Sequence, residues 1–154
     1  MVTRLSCLIC FLVFASIASA QQKPAAKSAV PELKKYLTGS GLPYRIVNDS
    51  LAVIPYEGKN ISAYNVIIQR VGDLYIVYTN LNEALPGKID EGKYKYLLQQ
   101  SDHYDIVKIG LSAEDNTVYL RADIYKSSTT AALLKRIIIQ VANVTNIIGG
   151  DLKE

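Results

Sequence analysis

The residues that could carry out acid–base chemistry lie around the one histidine of the chain. His103 stands between Asp102 and Tyr104, and Asp105 follows two residues later. A histidine beside a carboxylate is the pairing that a general base and its orienting partner would need. The same residues are also typical of a solvated turn between two elements, and we favour that interpretation. The sequence therefore predicts a protein without catalytic residues, not an enzyme.

Metal, cofactor and phosphate sites have equally weak support. The run Glu114-Asp115-Asn116 could offer oxygens to calcium, but the ligand order of an EF-hand loop is absent, and a hairpin tip explains it better. A single histidine without cysteine partners does not suit zinc. The run Gly39-Ser40-Gly41 lacks the Lys-Ser/Thr ending of a phosphate-binding loop. We predict no metal and no cofactor.

Tyrosine is the one compositional signal that favours a binding function. The chain has 11 tyrosines and no tryptophan. The simple interpretation is that tyrosine does the aromatic packing, with its ring half buried and its hydroxyl in water. The alternative is an exposed contact face, for which Tyr119, Arg121 and Tyr125 on one face of a predicted strand are the candidates. RNA binding by stacked aromatic rings is a poorer interpretation, because the chain lacks strong basic charge.

The first 20 residues have the layout of a cleavable secretory signal peptide. Arg4 supplies the positive start, residues 5–18 are apolar, and Ala18-Ser19-Ala20 is a small-x-small cleavage site. The apolar run is shorter than the roughly 20 residues that span a bilayer, so we expect no stable membrane insertion after cleavage. The sequence predicts export to the periplasm or out of the cell.

Cleavage after Ala20 would leave 134 of the 154 residues, without cysteine, phenylalanine or methionine. The net formal charge would fall from +3 to +2, which is too small to indicate nucleic acid or an anionic membrane as a partner. An exported domain without disulfides must rely on its apolar core. The absence of cysteine from an exported domain favours a bacterial source. Three Asn-x-Ser/Thr triplets, at Asn48, Asn60 and Asn143, are N-glycosylation signals and argue against a bacterial source.

Alternation and turn residues predict the secondary structure after a polar tether at residues 21–29. Predicted helices cover residues 30–37, 90–100 and 130–148, and predicted strands cover 44–47, 51–54, 63–71, 74–78, 106–111 and 117–125. Asp90 and the run Ser127-Ser128-Thr129-Thr130 are candidate N-caps, and Gly149-Gly150 is the expected end of the last helix.

This order predicts an α+β fold. We expect one two-layer domain over residues 30–150, with an antiparallel twisted sheet of about five or six strands, helices packed on one face, and a long C-terminal helix. The buried stripe of the C-terminal helix should be Leu134, Ile137, Val141, Val144 and Ile148. Residues 151–154 would form a polar tail.

One part of the sequence resembles a known family. A helix ending in Tyr96-Leu97-Leu98-Gln99-Gln100 is followed by Val-Lys-Ile-Gly-Leu at residues 107–111, an acidic turn, and Val-Tyr-Leu-Arg-Ala-Asp-Ile at residues 118–124. This pattern resembles the YbjN-type domain family, whose fold is related to that of the type III secretion chaperones. The resemblance implies a non-enzymatic protein-binding or adaptor module, often dimeric, and it carries over no catalytic residue. The chain differs from those chaperones in two respects. They are cytoplasmic and usually acidic, whereas this chain has an export signal and is slightly basic.

Two functions remain open. The first is an exported, non-catalytic domain that binds a protein or peptide, as an adaptor or chaperone-like module, and that could form a homodimer. The alternative is a periplasmic domain that binds a small ligand or a glycan in a tyrosine-lined pocket.

Overall fold

In the described part of the chain, six strands and three helices follow the predicted order, and a fourth helix of four residues is added. The structure is a computed structural model that describes residues 31–85 and 89–153. The elements are α1 (Glu32–Ser40), β1 (Arg45–Asn48), β2 (Leu51–Tyr56), β3 (Tyr64–Val71), β4 (Leu74–Asn80), α2 (Leu81–Ala84), α3 (Glu91–Gln100), β5 (Lys108–Leu111), β6 (Val118–Tyr125) and α4 (Ala131–Asp151). The predicted α+β class is confirmed. The predicted signal peptide and tether lie outside the described residues.

The strands form one antiparallel sheet in the order β1-β2-β3-β4-β6-β5. Val71 pairs with Leu74 across the predicted two-residue turn, in which Gly72 has a φ of 54° that suits glycine. β4 pairs with β3 and β6, as its apolar sequence predicts for an inner strand. β1 and β5 are therefore the edges of the sheet.

The core lies between the sheet and the helices. Alternate residues of β2, β3, β4 and β6 are buried, and the five stripe residues predicted for α4 are all buried with them. The Tyr64 hydroxyl donates to the Ala142 carbonyl of α4 at 2.9 Å. From α1, Glu32 accepts hydrogen bonds from Tyr36 at 3.2 Å and Tyr75 at 3.3 Å, and its carboxylate lies 3.5 Å from the Lys126 ammonium.

Two predicted caps are confirmed. The Asp90 carboxylate accepts from the Lys93 N–H at 3.0 Å at the start of α3. The Thr130 hydroxyl accepts from the Leu133 N–H at 3.1 Å at the start of α4. Each cap satisfies a backbone donor that the helix itself leaves unpaired.

The prediction that Gly149-Gly150 ends the last helix is wrong, because α4 continues through both glycines to Asp151. A Cβ at Gly149 would lie closer than 3.0 Å to Ile61, and one at Gly150 closer than 3.0 Å to Asn60. Glycine is needed here because the β2–β3 loop lies against the helix. The expected polar tail at residues 151–154 includes Asp151, which ends α4, and Leu152, which is buried.

Hydrogen bonds to Asn146 of α4 hold the β2–β3 loop (residues 57–63) against the helix. The Asn146 side-chain oxygen accepts from the backbone N–H groups of Asn60 at 2.9 Å and Ile61 at 3.2 Å. The Asn60 side chain donates in return to the Asn146 carbonyl at 3.0 Å. The loop therefore has a fixed position relative to the C-terminal half of α4.

By length and composition alone, α4 could also cross a membrane. This is weak evidence, because the core helix of a soluble protein passes the same test. Nine residues of α4 are buried within the protein, which accounts for its apolar sequence.

Candidate protein-binding face

Among residues 31–85 and 89–153, no helix packs on one side of the sheet, and we call this side the open face. Residues directly opposite each other in antiparallel strands point to the same side, so the strand register identifies its members. They include Arg45, Leu51, Val53, Ile67, Gln69, Val71, Leu74, Ile76, Tyr78, Lys108, Tyr119, Arg121, Asp123 and Tyr125.

The middle of the open face is apolar. Val53, Ile67 and Tyr78 stand opposite one another on β2, β3 and β4, and Ile76 and Leu74 extend the patch along β4. These five side chains are half-buried, although no helix of the described part of the chain covers them. A sheet face turned to water normally carries polar residues, so this patch is suited to a contact with another molecule.

Charge flanks this apolar patch on both sides. One row across the sheet begins at Arg45 on β1 and ends at Lys108 on β5, six strands and about 24 Å apart. Neither side chain forms an ion pair within the described residues. The open face therefore presents two cationic side chains, Arg45 and Lys108, that no described residue pairs, on either side of an apolar centre.

All three predicted contact residues lie on the open face of β6. The Tyr119 ring lies over Gly110 of β5, where a Cβ would approach the ring closer than 3.0 Å. Tyr125 is opposite Leu74 and 67% exposed. Six residues of strand, about 20 Å, separate Tyr125 from Tyr119, so the structure brings together Tyr119 and Arg121 but not Tyr125.

Arg121 is held by an aspartate that the prediction of the site omitted. Its Nε and Nη2 atoms donate to the two carboxylate oxygens of Asp123 at 2.7 and 2.9 Å. This hydrogen-bonded carboxylate keeps the pKa of Arg121 above its ordinary value, against partial burial. Alternation puts Asp123 on the same strand face two residues on, so the sequence contained the signal for the pair.

Tyr119, Arg121 and Asp123 line a shallow groove of about 390 Å³ with Lys108 and Gly110 of β5. Two N–H groups of the Arg121 guanidinium already donate to Asp123, so only its other N–H groups can donate to a partner. Of the charged side chains that line the groove, the Lys108 ammonium is the one without an ion pair to any described residue. The groove is therefore suited to a carboxylate next to an apolar or aromatic side chain.

A second exposed apolar surface lies where α3 meets the edge strand β5. Leu98 is 73% exposed and Leu111 is 51% exposed, beside a small apolar cavity of about 170 Å³. The sequence predicts an apolar stripe of Tyr94, Leu97 and Leu98 on α3. The structure buries Leu97 and half-buries Tyr94, but it leaves Leu98 exposed, so the prediction is wrong for Leu98. Periodicity missed this, since adjacent leucines in a short helix leave its buried direction open.

The residues considered for chemistry lie apart from the open face. His103 is exposed in the turn after α3, and its Nδ1 lies 3.2 Å from the Gln99 carbonyl. Asp115 accepts from the Thr117 N–H at 3.1 Å at the β5–β6 hairpin tip. A hydrogen bond from Ser112 and those from Thr117 lower the pKa of Asp115. Within the ranges described, no group of three His, Cys, Asp or Glu residues could hold a metal ion.

No family profile and no curated protein matches the chain. Among solved structures, the fold is similar to a chain of the heterodimeric ExoU–SpcU complex from the type III secretion system of Pseudomonas aeruginosa, with a TM-score of 0.52, 15% identity, and coverage of 75% of this chain and 93% of that one. It is also similar to a chain of the HopA1–SchA chaperone–effector complex, with a TM-score of 0.56, 11% identity, and coverage of 73% and 89%.

YbjN from E. coli gives a TM-score of 0.55 at 9% identity, with coverage of 79% of this chain and 88% of YbjN. At these identities the likeness concerns the fold alone. The YbjN-type, type III chaperone-like fold that the sequence predicts is therefore confirmed.

Proposed function

We propose that this protein is an exported, non-catalytic domain that binds another polypeptide through the open face. The observation that carries the proposal is the apolar patch at Val53, Ile67, Ile76 and Tyr78, on a sheet side that no described helix covers. The fold supports it, since similar chains occur in complexes with protein partners.

The charge of the open face indicates the chemistry of the partner. Burying an unpaired Arg45 or Lys108 would be costly, so a partner that covers the patch should bring carboxylates to these positions. Between them it should present apolar side chains to the half-buried patch. We therefore expect a segment with an apolar middle and acidic ends.

Export is supported by the sequence of residues 1–20. Arg4, the apolar run and Ala18-Ser19-Ala20 are the parts of a secretory signal. Under this proposal the mature protein meets its partner in the periplasm or outside the cell, and not in the cytoplasm where type III chaperones act.

The test is affinity capture from the envelope or culture fluid of the source organism, with the mature protein as bait. We expect Tyr119→Ala and Arg121→Ala each to weaken capture of a partner that the wild type retains, without loss of folding. Arg136→Ala on the exposed face of α4 is the matched control, and it should capture as wild type does. If all three variants capture the same partners equally, the groove beside β5 is not the contact surface.

Self-association belongs to the same proposal, through a different surface. Leu98 and Leu111 are exposed apolar side chains beside the unpaired edge of β5, which is a typical arrangement for pairing with a second copy. Light scattering after size-exclusion should give a dimer mass for the wild type and a monomer mass for Leu98→Ser. A monomeric wild type would contradict the dimer and leave the open face unaffected.

A small-ligand function is the second candidate, because one cavity is lined by tyrosine. Tyr56 and Tyr64 border a space of about 300 Å³ at the ends of β2 and β3. That size is at the lower limit of ligand pockets.

A further inference from the structure

The tyrosine-lined cavity lies at one end of the sheet and has two stacked rings as one wall. It lies where β2 ends, β3 begins and β4 passes into α2. The rings of Tyr56 and Tyr64 are stacked, with centroids 5.9 Å apart and planes at 23°. Tyr64 is buried, and its hydrogen bond to Ala142 of α4 fixes its ring. The partly exposed Tyr56 ring therefore rests on a fixed support.

Both phenols are neutral at ordinary pH. Burial, with a smaller effect of the neighbouring Tyr56, raises the pKa of Tyr64 to about 12. Burial likewise raises the pKa of Tyr56. The aromatic wall thus adds polarisable ring surface to the cavity but no phenolate charge.

The charge of the cavity comes from two carboxylates. Glu57 lines it from the end of β2 and Glu83 from α2, and neither forms an ion pair within the described part of the chain. Asn80 holds Glu83 in place, since its side chain donates to the Glu83 carboxylate at 3.0 Å and accepts from the Glu83 N–H at 3.3 Å. The lining residues include no lysine, arginine or histidine.

This combination selects the charge and shape of a ligand. Two carboxylates without cations repel an anion and attract an ammonium group. An aromatic ring adds favourable cation–π and apolar contact for an ammonium and its methylene stem. The Asn65 amide lines the same space and its oxygen can accept from the ammonium protons, whereas the Asn80 oxygen already accepts from the Asn82 and Glu83 N–H groups.

We propose that this cavity binds a primary ammonium group on an alkyl stem, as found on a lysine side chain or a free diamine. The inference names the ligand class for the small-ligand candidate and does not depend on the open face. The lysine source would place a partner polypeptide at the same end of the sheet as Asn80, which pairs with Tyr119.

The experiment uses the mature protein, labelled for NMR, and two probes of equal length. Cadaverine carries an ammonium at each end, and 1,5-pentanediol is its neutral counterpart. We expect cadaverine to shift the signals of Tyr56, Asn65 and Glu83 and pentanediol to shift none of them. N-acetyl-lysine methylamide shows whether a side chain within a polypeptide is accepted as well as a free diamine.

Variants then test the carboxylates. Glu57→Gln and Glu83→Gln should each weaken cadaverine binding about threefold, and the double variant about tenfold. Glu114→Gln at the β5–β6 hairpin tip is the matched control and should leave binding unchanged. Equal binding of pentanediol would overturn the ammonium assignment but keep a ligand function for the cavity. No shift with any probe, or equal shifts around Glu114, would overturn both.

Discussion

Removing the side chain of Asn146 should destabilise the protein far more than removing a neighbouring asparagine. Asn146→Ala deletes the acceptor for the N–H groups of Asn60 and Ile61. Each lost hydrogen bond in this partly buried site costs about 1 kcal/mol, so the free energy of unfolding should fall by about 2 kcal/mol. For a domain of this size that lowers Tm by about 8 °C.

Two further variants separate the acceptor from other effects. Asn143→Ala removes an exposed asparagine from the same helix, three residues earlier, and should change the free energy of unfolding by less than about 0.5 kcal/mol. Asn146→Asp retains a side-chain oxygen that can accept both N–H groups, so it should retain most of the stability that Asn146→Ala loses.

The assay is urea unfolding of the mature protein, followed by circular dichroism, for the wild type and the three variants. Gly58→Ala provides an independent perturbation, because a Cβ there would meet the Asn146 side chain closer than 3.0 Å. It should destabilise the wild type but have little further effect in the Asn146→Ala background. Equal losses for Asn146→Ala and Asn143→Ala would refute the role of this loop contact.

Three other predictions concern separate parts of the molecule. Gly110→Ala should displace the Tyr119 ring and weaken partner capture as Tyr119→Ala does. The free energy of unfolding should change by less than about 1 kcal/mol, because the gain from replacing glycine by alanine in a strand offsets the cost of moving the ring. In a Tyr119→Ala background, where no ring has to move, Gly110→Ala should increase the free energy of unfolding. Leu97→Ala should lower the free energy of unfolding by about 3 kcal/mol and Leu98→Ala by less than about 0.5 kcal/mol in urea unfolding, and the reverse order would contradict the orientation of α3. Burial opposes the charge of Glu32, but the hydrogen bond from Tyr36 and the charge of Lys126 outweigh it and lower the pKa of Glu32. Its contribution is therefore complete above the unfolded pKa near 4.5 and lost as the pH falls through the lower folded value, so Glu32→Gln should flatten the acid side of a stability–pH curve.

Local sequence signals predicted most of the fold. Alternation and turn residues identified all six strands, and Gly72-Asp73 set the register of the β3–β4 hairpin. The α4 stripe was predictable because one long helix against a sheet has a single apolar direction. The sequence did not predict α2, because a four-residue helix is too short to show a periodic pattern and its cap Asn80 is also typical of a loop.

The candidate sites depend on register between distant segments, which the sequence does not display. The open face needs the pairing of Val53, Ile67 and Tyr78 across three strands before its apolar centre becomes visible. The ammonium cavity needs the β2–β3 pairing and the position of α2 together. Gly149 and Gly150 show the same limit, since only the approach of the β2–β3 loop explains why a helix contains them.

Site-specific photo-crosslinking tests the central claim most directly. A photo-crosslinking amino acid is placed at Ile67, in the middle of the open face, or at Arg136 on the far side of the protein, and the protein is irradiated in its native compartment. The proposal predicts a crosslink to a distinct polypeptide from Ile67 and none from Arg136. No crosslink from Ile67, or the same products from both positions, would contradict the assignment of the open face as the binding surface.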